Sequence, residues 1–126
     1  EKALEIDPRL AMAHNNLGLL LSSQGKTDEA IVRFRKAVEC DPKYAAAHYN
    51  LANHLQMRGK SQEAREEFEE ALRIDPHYAE AYNNLGALVQ QQGDLAQAIA
   101  CYQKALWADP QNVQARGNLA AARSQR

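Results

Sequence analysis

Apolar and polar positions alternate along this chain in one recurring design. Over Ala45–Met57, the residues Ala47, Leu51 and Leu55 recur at i, i+4 and i+8, the stripe of an amphipathic helix. Gly59 follows, a residue that ends helices because it tolerates positive φ. Over residues 62–74, Ala64, Phe68, Ala71 and Leu72 form a second apolar face. Asp75-Pro76 closes it, since proline disfavours helical geometry in the residue before it. The pattern predicts two helices joined by a tight turn. The alanines mark where backbones approach closely, and the aromatic fills the opposing gap.

This unit returns every 34 residues. That shift superposes Leu17, Leu51, Leu85 and Leu119, then Asn16, Asn50, Asn84 and Asn118. It also superposes Gly25, Gly59 and Gly93, the aromatics Phe34, Phe68 and Tyr102, and the Asp-Pro pairs at Asp7, Asp41, Asp75 and Asp109. A fixed period of this length is the mark of stacked units, each burying its apolar face against the next. The chain reads as one domain, with a partial repeat at 1–10, full repeats at 11–44, 45–78 and 79–112, and a last helix within 113–126.

The pattern resembles the tetratricopeptide repeat family, whose motif is met in the third repeat by Tyr82, Leu85-Gly86, Gly93, Ala98, Tyr102, Ala105 and Pro110. Departures are local: His14 and His48 replace an aromatic, Ala52 replaces the glycine, and Leu21, Leu55 and Val89 replace a common tyrosine. The resemblance implies an all-α, right-handed α-solenoid of antiparallel helix pairs with a concave groove. It also implies that the asparagine stripe of each first helix faces that groove. On that stripe stand Asn15, Asn16, Tyr49, Asn50, Asn53, Asn83, Asn84, Gln91 and Asn118, with Met12, Leu19, Met57, Glu80 and Gln90 among their neighbours.

A carboxamide carries one acceptor and two donors, so it can bond both the C=O and the N–H of an extended peptide. Neighbouring helices pack on the order of 10 Å apart, and an extended chain advances about 3.3 Å per residue. Each asparagine would then meet roughly every third residue of a guest. The ladder is similar to that of the repeat region of O-linked N-acetylglucosamine transferases, which holds extended substrate segments. Asparagine at this position also bonds across neighbouring helices in ordinary repeats, and both roles stay open. Some family members instead grip a C-terminal carboxylate with Lys and Arg. Here the corresponding positions carry Asn15, Asn16, Leu19, Glu80 and Asn84, with no cation among them.

Composition narrows the partner. Fifteen Lys+Arg against 16 Asp+Glu give a net charge of −1, without the basic stripe that nucleic acid demands. No apolar run approaches the roughly 18–20 residues of a membrane span. Cys40 and Cys101 lie 61 residues apart with no metal-like spacing, which predicts no disulfide and a cytoplasmic setting, or the soluble part of a larger protein. Cys40 aligns with apolar residues and is expected buried; Cys101 aligns with Arg33 and Glu67 and is expected partly exposed. His14, His48, His54 and His77 lack zinc spacing, and the first two read as flat packing rings. Trp107, aligned with charged residues, is expected exposed. No phosphate loop or nucleophile elbow is present, so neither catalysis nor a cofactor is implied.

Two expectations concern contacts. Arg33, Arg35 and Lys36 stand 34 residues before Glu67, Glu69 and Glu70, which predicts ion pairs between adjacent second helices. Half-units at the two ends suggest weak head-to-tail self-association through Leu4, Ile6 and Leu119. The function expected is a scaffold for a protein or extended peptide. The alternatives are a structural spacer, or the substrate-recruiting region of an enzyme.

Overall fold

A computed structural model describes residues 6–125. Seven helices, and no strand among the described residues, follow one another: α1 (Pro8–Ser23), α2 (Thr27–Cys40), α3 (Ala45–Met57), α4 (Ser61–Ile74), α5 (Ala79–Gln91), α6 (Leu95–Ala108) and α7 (Val113–Ser124). Pairs α1–α2, α3–α4 and α5–α6 make the most extensive contacts, and each pair packs on the next. The fold is an all-α helical repeat solenoid.

Local chemistry sets the turns. Gly25, Gly59 and Gly93 take φ of 78°, 77° and 90°, a region costly for any residue with a Cβ. After α2, α4 and α6, the carboxylates of Asp41, Asp75 and Asp109 accept the N–H two residues on, at 3.1, 3.0 and 3.2 Å. These Asx turns release the chain into the next helix. Asp7-Pro8 behaves differently and opens a helix directly. Asp7 caps α1 by accepting from the Leu10 N–H at 3.2 Å, and Pro8 sits in the first turn, where its missing N–H costs nothing. α1 is thereby 16 residues long, against 13 in α3 and α5.

One core runs through all the units, with Phe34, Phe68 and Tyr102 at its centre and alanines Ala30, Ala64 and Ala98 wholly buried beside them. Gly18 and Gly86 let the rings lie against the first helices: a Cβ on either would stand 2.6 Å from Cε1 of Phe34 or Tyr102. The leading face of α1 is open among the described residues. Leu17 is 36% exposed, whereas its counterparts Leu51 and Leu85, covered by a preceding helix pair, are 1% and 4%.

Among the described residues, second helices are joined by one ion pair and one arginine–amide hydrogen bond, both with a different offset from that expected. Arg35 reaches Glu63 at 2.6 Å, 28 residues on, and Arg65 donates to Gln97 at 2.7 Å, 32 residues on. Glu69 pairs with Arg65 of its own helix, Glu70 with Arg73, and Glu67 with His48. Both partners stand earlier in the neighbouring helix than equal spacing implies, since Arg35 would meet Glu69 and Arg65 would meet Ile99 at an offset of 34.

Leu4 lies outside the described residues and Ile6 is exposed. Leu119 is only 7% exposed, because α7 lays it against the core under α5 and α6. The outward positions of α7 carry Arg116, Ala120 and Arg123 instead. No described helix is long and apolar enough to cross a membrane.

Candidate functional site

The first helices α1, α3, α5 and α7 form one wall, and their asparagines are bonded to each other in sequence. Asn50 donates to Asn15 Oδ1 at 3.0 Å and Asn118 to Asn83 Oδ1 at 2.9 Å, each 35 residues back. Asn84 donates twice, to the Tyr49 hydroxyl at 3.0 Å and to Asn53 Oδ1 at 2.9 Å. Asn15 and Asn83 are not wall residues: at 4% and 2% exposure they lie between helices and accept from the next unit. Asn15 also donates to the Tyr44 hydroxyl at 3.3 Å. Tyr49 is half-buried, its ring 4.9 Å from that of Tyr78.

The carboxamides of Asn50, Asn84 and Asn118 are therefore chemically unequal. The position 31 residues before the rung decides the difference. Before Asn84 it is Asn53, which occupies the second N–H; before Asn50 it is Leu19 and before Asn118 it is Ala87, neither of which can accept. Asn50 and Asn118 thus keep one N–H and the carbonyl oxygen, while Asn84 keeps only its carbonyl. Asn16, exposed, makes no hydrogen bond among the described residues.

A depression of about 480 Å³ lies between α3 and α5, lined by Asn53, Gln56, Met57, Asn84, Ala87 and Gln91. It brings together Asn53, Asn84 and Gln91 of the expected set; Asn16, Asn50 and Asn118 fall outside it on the same wall. Gln56, Met57 and Ala87 join them from outside that set, and the helical stripe they share with it is their signal in the sequence. Met57 is 64% exposed and Leu19 45%, so the wall is more apolar toward α1 and richer in amides toward α7.

The tetratricopeptide repeat family model matches residues 10–77 and 43–111, which together cover most of the chain. The chain belongs to the tetratricopeptide repeat family. Among solved structures, the first TPR of Spaghetti (RPAP3) bound to HSP90 peptide SRMEEVD is similar at TM-score 0.92 and 25% identity, over 98% of each chain. The first TPR domain of human RPAP3 gives 0.88 at 26% identity, over 94% of this chain and 93% of that one. MamA gives 0.87 at 27%, over 94% of this chain and 70% of that one. No curated protein matches this sequence.

Away from the wall, one slot of this tetratricopeptide array changes character between repeats. His48 is buried, with Nδ1 2.7 Å from Glu67 and Nε2 2.8 Å from the Pro42 carbonyl. Two acceptors face the two ring nitrogens, an arrangement that favours the doubly protonated cation. Burial lowers its pKa, but the hydrogen bonds to Glu67 and the Pro42 carbonyl, with the charges of Glu67 and Glu70, outweigh burial and raise it. His14 occupies the same slot with Arg33 in place of Glu67, its Nδ1 3.4 Å from Nη1. Burial and the charges of Arg33 and Lys36 lower its pKa, so this ring accepts as the neutral form. Both are packing rings, but of opposite charge preference.

The cysteines reverse their expected exposures. Cys101 is 6% exposed, its thiol pushed up to about 11 by burial, and Cys40 at the end of α2 is half-buried. Both are free thiols. Trp107 is 62% exposed and stacks on His77 with ring centroids 4.6 Å apart. His54 donates from Nδ1 to the Asn50 carbonyl at 2.7 Å and its Nε2 meets the Ser22 hydroxyl at 2.7 Å. No group of three metal-ligating side chains occurs among the described residues.

Proposed function

We propose that this chain is a protein-interaction scaffold that docks an extended peptide segment along its inner wall through side-chain amides. The observation that carries the reading is the set of unoccupied valences: an N–H and a carbonyl at Asn50 and Asn118, and a carbonyl at Asn84 beside the pocket. A main chain offers the complementary C=O and N–H groups whatever its side chains, which makes docking tolerant of sequence. Each bond contributes about 0.5–1.5 kcal/mol net. A relative bound to an HSP90 peptide supports peptide docking on this fold. The asparagine ladder belongs to the proposal, and with it a substrate-recruiting role of the kind served by O-linked N-acetylglucosamine transferase repeats.

A spacer role is the second reading, favoured by the same inter-repeat bonds, since Asn15–Asn50 and Asn83–Asn118 tie helices whether or not a guest is present. Peptide arrays probed with the wild-type chain, Asn16→Ala and the Asn50→Ala/Asn84→Ala pair separate the two. Docking predicts weakening of about 30-fold for the pair, two lost bonds at the central value, while Asn16→Ala leaves the helix contacts intact and still reduces binding. Arrays unchanged by all three substitutions support the spacer.

A further inference from the structure

Among the first helices α1, α3, α5 and α7, Glu80 is the one acidic side chain, and the cations Arg9, Arg116 and Arg123 stand on the two outermost helices, α1 and α7. Glu80 is exposed on α5, one turn before Asn84, and so projects from the same face of the helix as Asn84 and Ala87. The carboxylates seen in ion pairs (Asp28, Glu63, Glu67, Glu69 and Glu70) all lie on second helices; Glu80 makes none among the described residues. Its counterparts in the other units, Met12, Ala46 and Gln114, are uncharged.

The neighbouring rung sharpens this asymmetry. Tyr49 and Asn53 hold both N–H groups of Asn84, so the only valence that side chain turns to a guest is an acceptor. An acceptor without donors, one turn from an unpaired carboxylate, favours a group that brings several N–H donors and a positive charge. Neither α3 nor α5 carries a Lys or Arg to offer a counter-charge to an acidic side chain, and Glu80 repels one. We propose that the groove selects an extended segment bearing a lysine or arginine, read on α5 by Glu80 together with the Asn84 carbonyl. Asn53 is the positioning residue, because it fixes Asn84 as an acceptor. The selection rests on the docking reading above and goes beyond it by naming the guest's charge.

A library of acetylated and amidated octapeptides tests it, with one position at a time fixed as Lys, Ala or Glu and binding read by fluorescence anisotropy. Lysine pools should bind about 3- to 10-fold tighter than alanine pools at one position, the range for an exposed ion pair reinforced by a charged hydrogen bond. Glutamate pools should bind more weakly than alanine pools at that position. Glu80→Gln should abolish the lysine-to-alanine ratio, Glu80→Lys should invert it toward glutamate, and Asn53→Leu should diminish it. Measurable alanine-pool binding with no lysine preference overturns the selection and leaves docking standing, as does a preference that survives Glu80→Gln. Absence of binding by every pool overturns docking and the selection together.

Discussion

Gly86 and Gly117 are both helical glycines, yet their replacement by alanine should move stability in opposite directions. At Gly86 a new Cβ would meet Tyr102 at 2.6 Å from Cε1 and 2.9 Å from Cδ1, where ordinary contact requires about 3.5–4.0 Å. The ring must retreat by about 1 Å to restore that contact. It is 2% exposed, and its hydroxyl donates to Gln90 Oε1 at 2.7 Å, so retreat disturbs both packing and a hydrogen bond. Overpacking of this kind costs about 1–3 kcal/mol. The lower backbone entropy of alanine offsets about 0.5–1 kcal/mol of it, leaving a net loss near 1–2 kcal/mol. At Gly117 the added Cβ meets nothing within 4 Å, so only the helix gain remains, about 0.5–1 kcal/mol.

Urea unfolding followed by far-ultraviolet circular dichroism reads the difference. Gly86→Ala should lower the midpoint by roughly 0.5–1 M at an unchanged slope, and Gly117→Ala should raise it. Combining Gly86→Ala with Tyr102→Leu should return part of the loss, because the shorter side chain vacates the contested space. Ala52 holds the equivalent site beside Phe68 and is wholly buried, so the clash belongs to the spacing of the first and third units and not to the fold in general. If Gly86→Ala stabilises by as much as Gly117→Ala, the close approach of α5 to the Tyr102 ring is refuted.

Three further outcomes are expected. The raised pKa of His48 contributes stability fully present below the unfolded value of about 6.5 and lost as pH rises through the folded value; His48→Tyr, which copies Tyr82 of the same slot, should remove that component from a pH series of urea midpoints. Cys40 should react readily with a thiol reagent while Cys101, buried and held as the thiol, reacts only as fast as its helix pair opens; equal rates for both would contradict the burial. A double-mutant cycle on Arg35 and Glu63 should give a coupling of about 0–1 kcal/mol that falls with added salt, as exposed pairs do.

Much of this architecture is legible from letters alone, because its determinants are local. Ala45–Met57 and Val113–Ser124 are helices with the bounds that their stripes and flanking residues suggest. The glycine turns and the Asx turns need only a residue and its immediate neighbours. Asp7-Pro8 departs from the other Asp-Pro pairs because the same two residues can close one helix or cap another, and a window of two does not distinguish them. Contacts between units are harder to foresee. Arg35 meets Glu63 and not Glu69, and equal spacing carries no trace of that offset. The unequal rungs are hidden for a related reason: whether Asn84 keeps a donor depends on Asn53, in another helix, so one column of asparagines looks uniform until the column beside it is known. Cys101 shows the same limit, since it is buried where Arg33 and Glu67 stand in other units.

Among the described residues, no helix makes an extensive contact with one more than two places along the chain. Mechanically the molecule is a coil of plates, each held only by those on either side, so bending is shared out over every junction and resisted by none in particular. A guest that grips Asn50 and Asn118 together would act as a splint across two junctions. Its footprint would register as stiffness, and slowed amide exchange should spread through α3, α5 and α7, well past the atoms it touches.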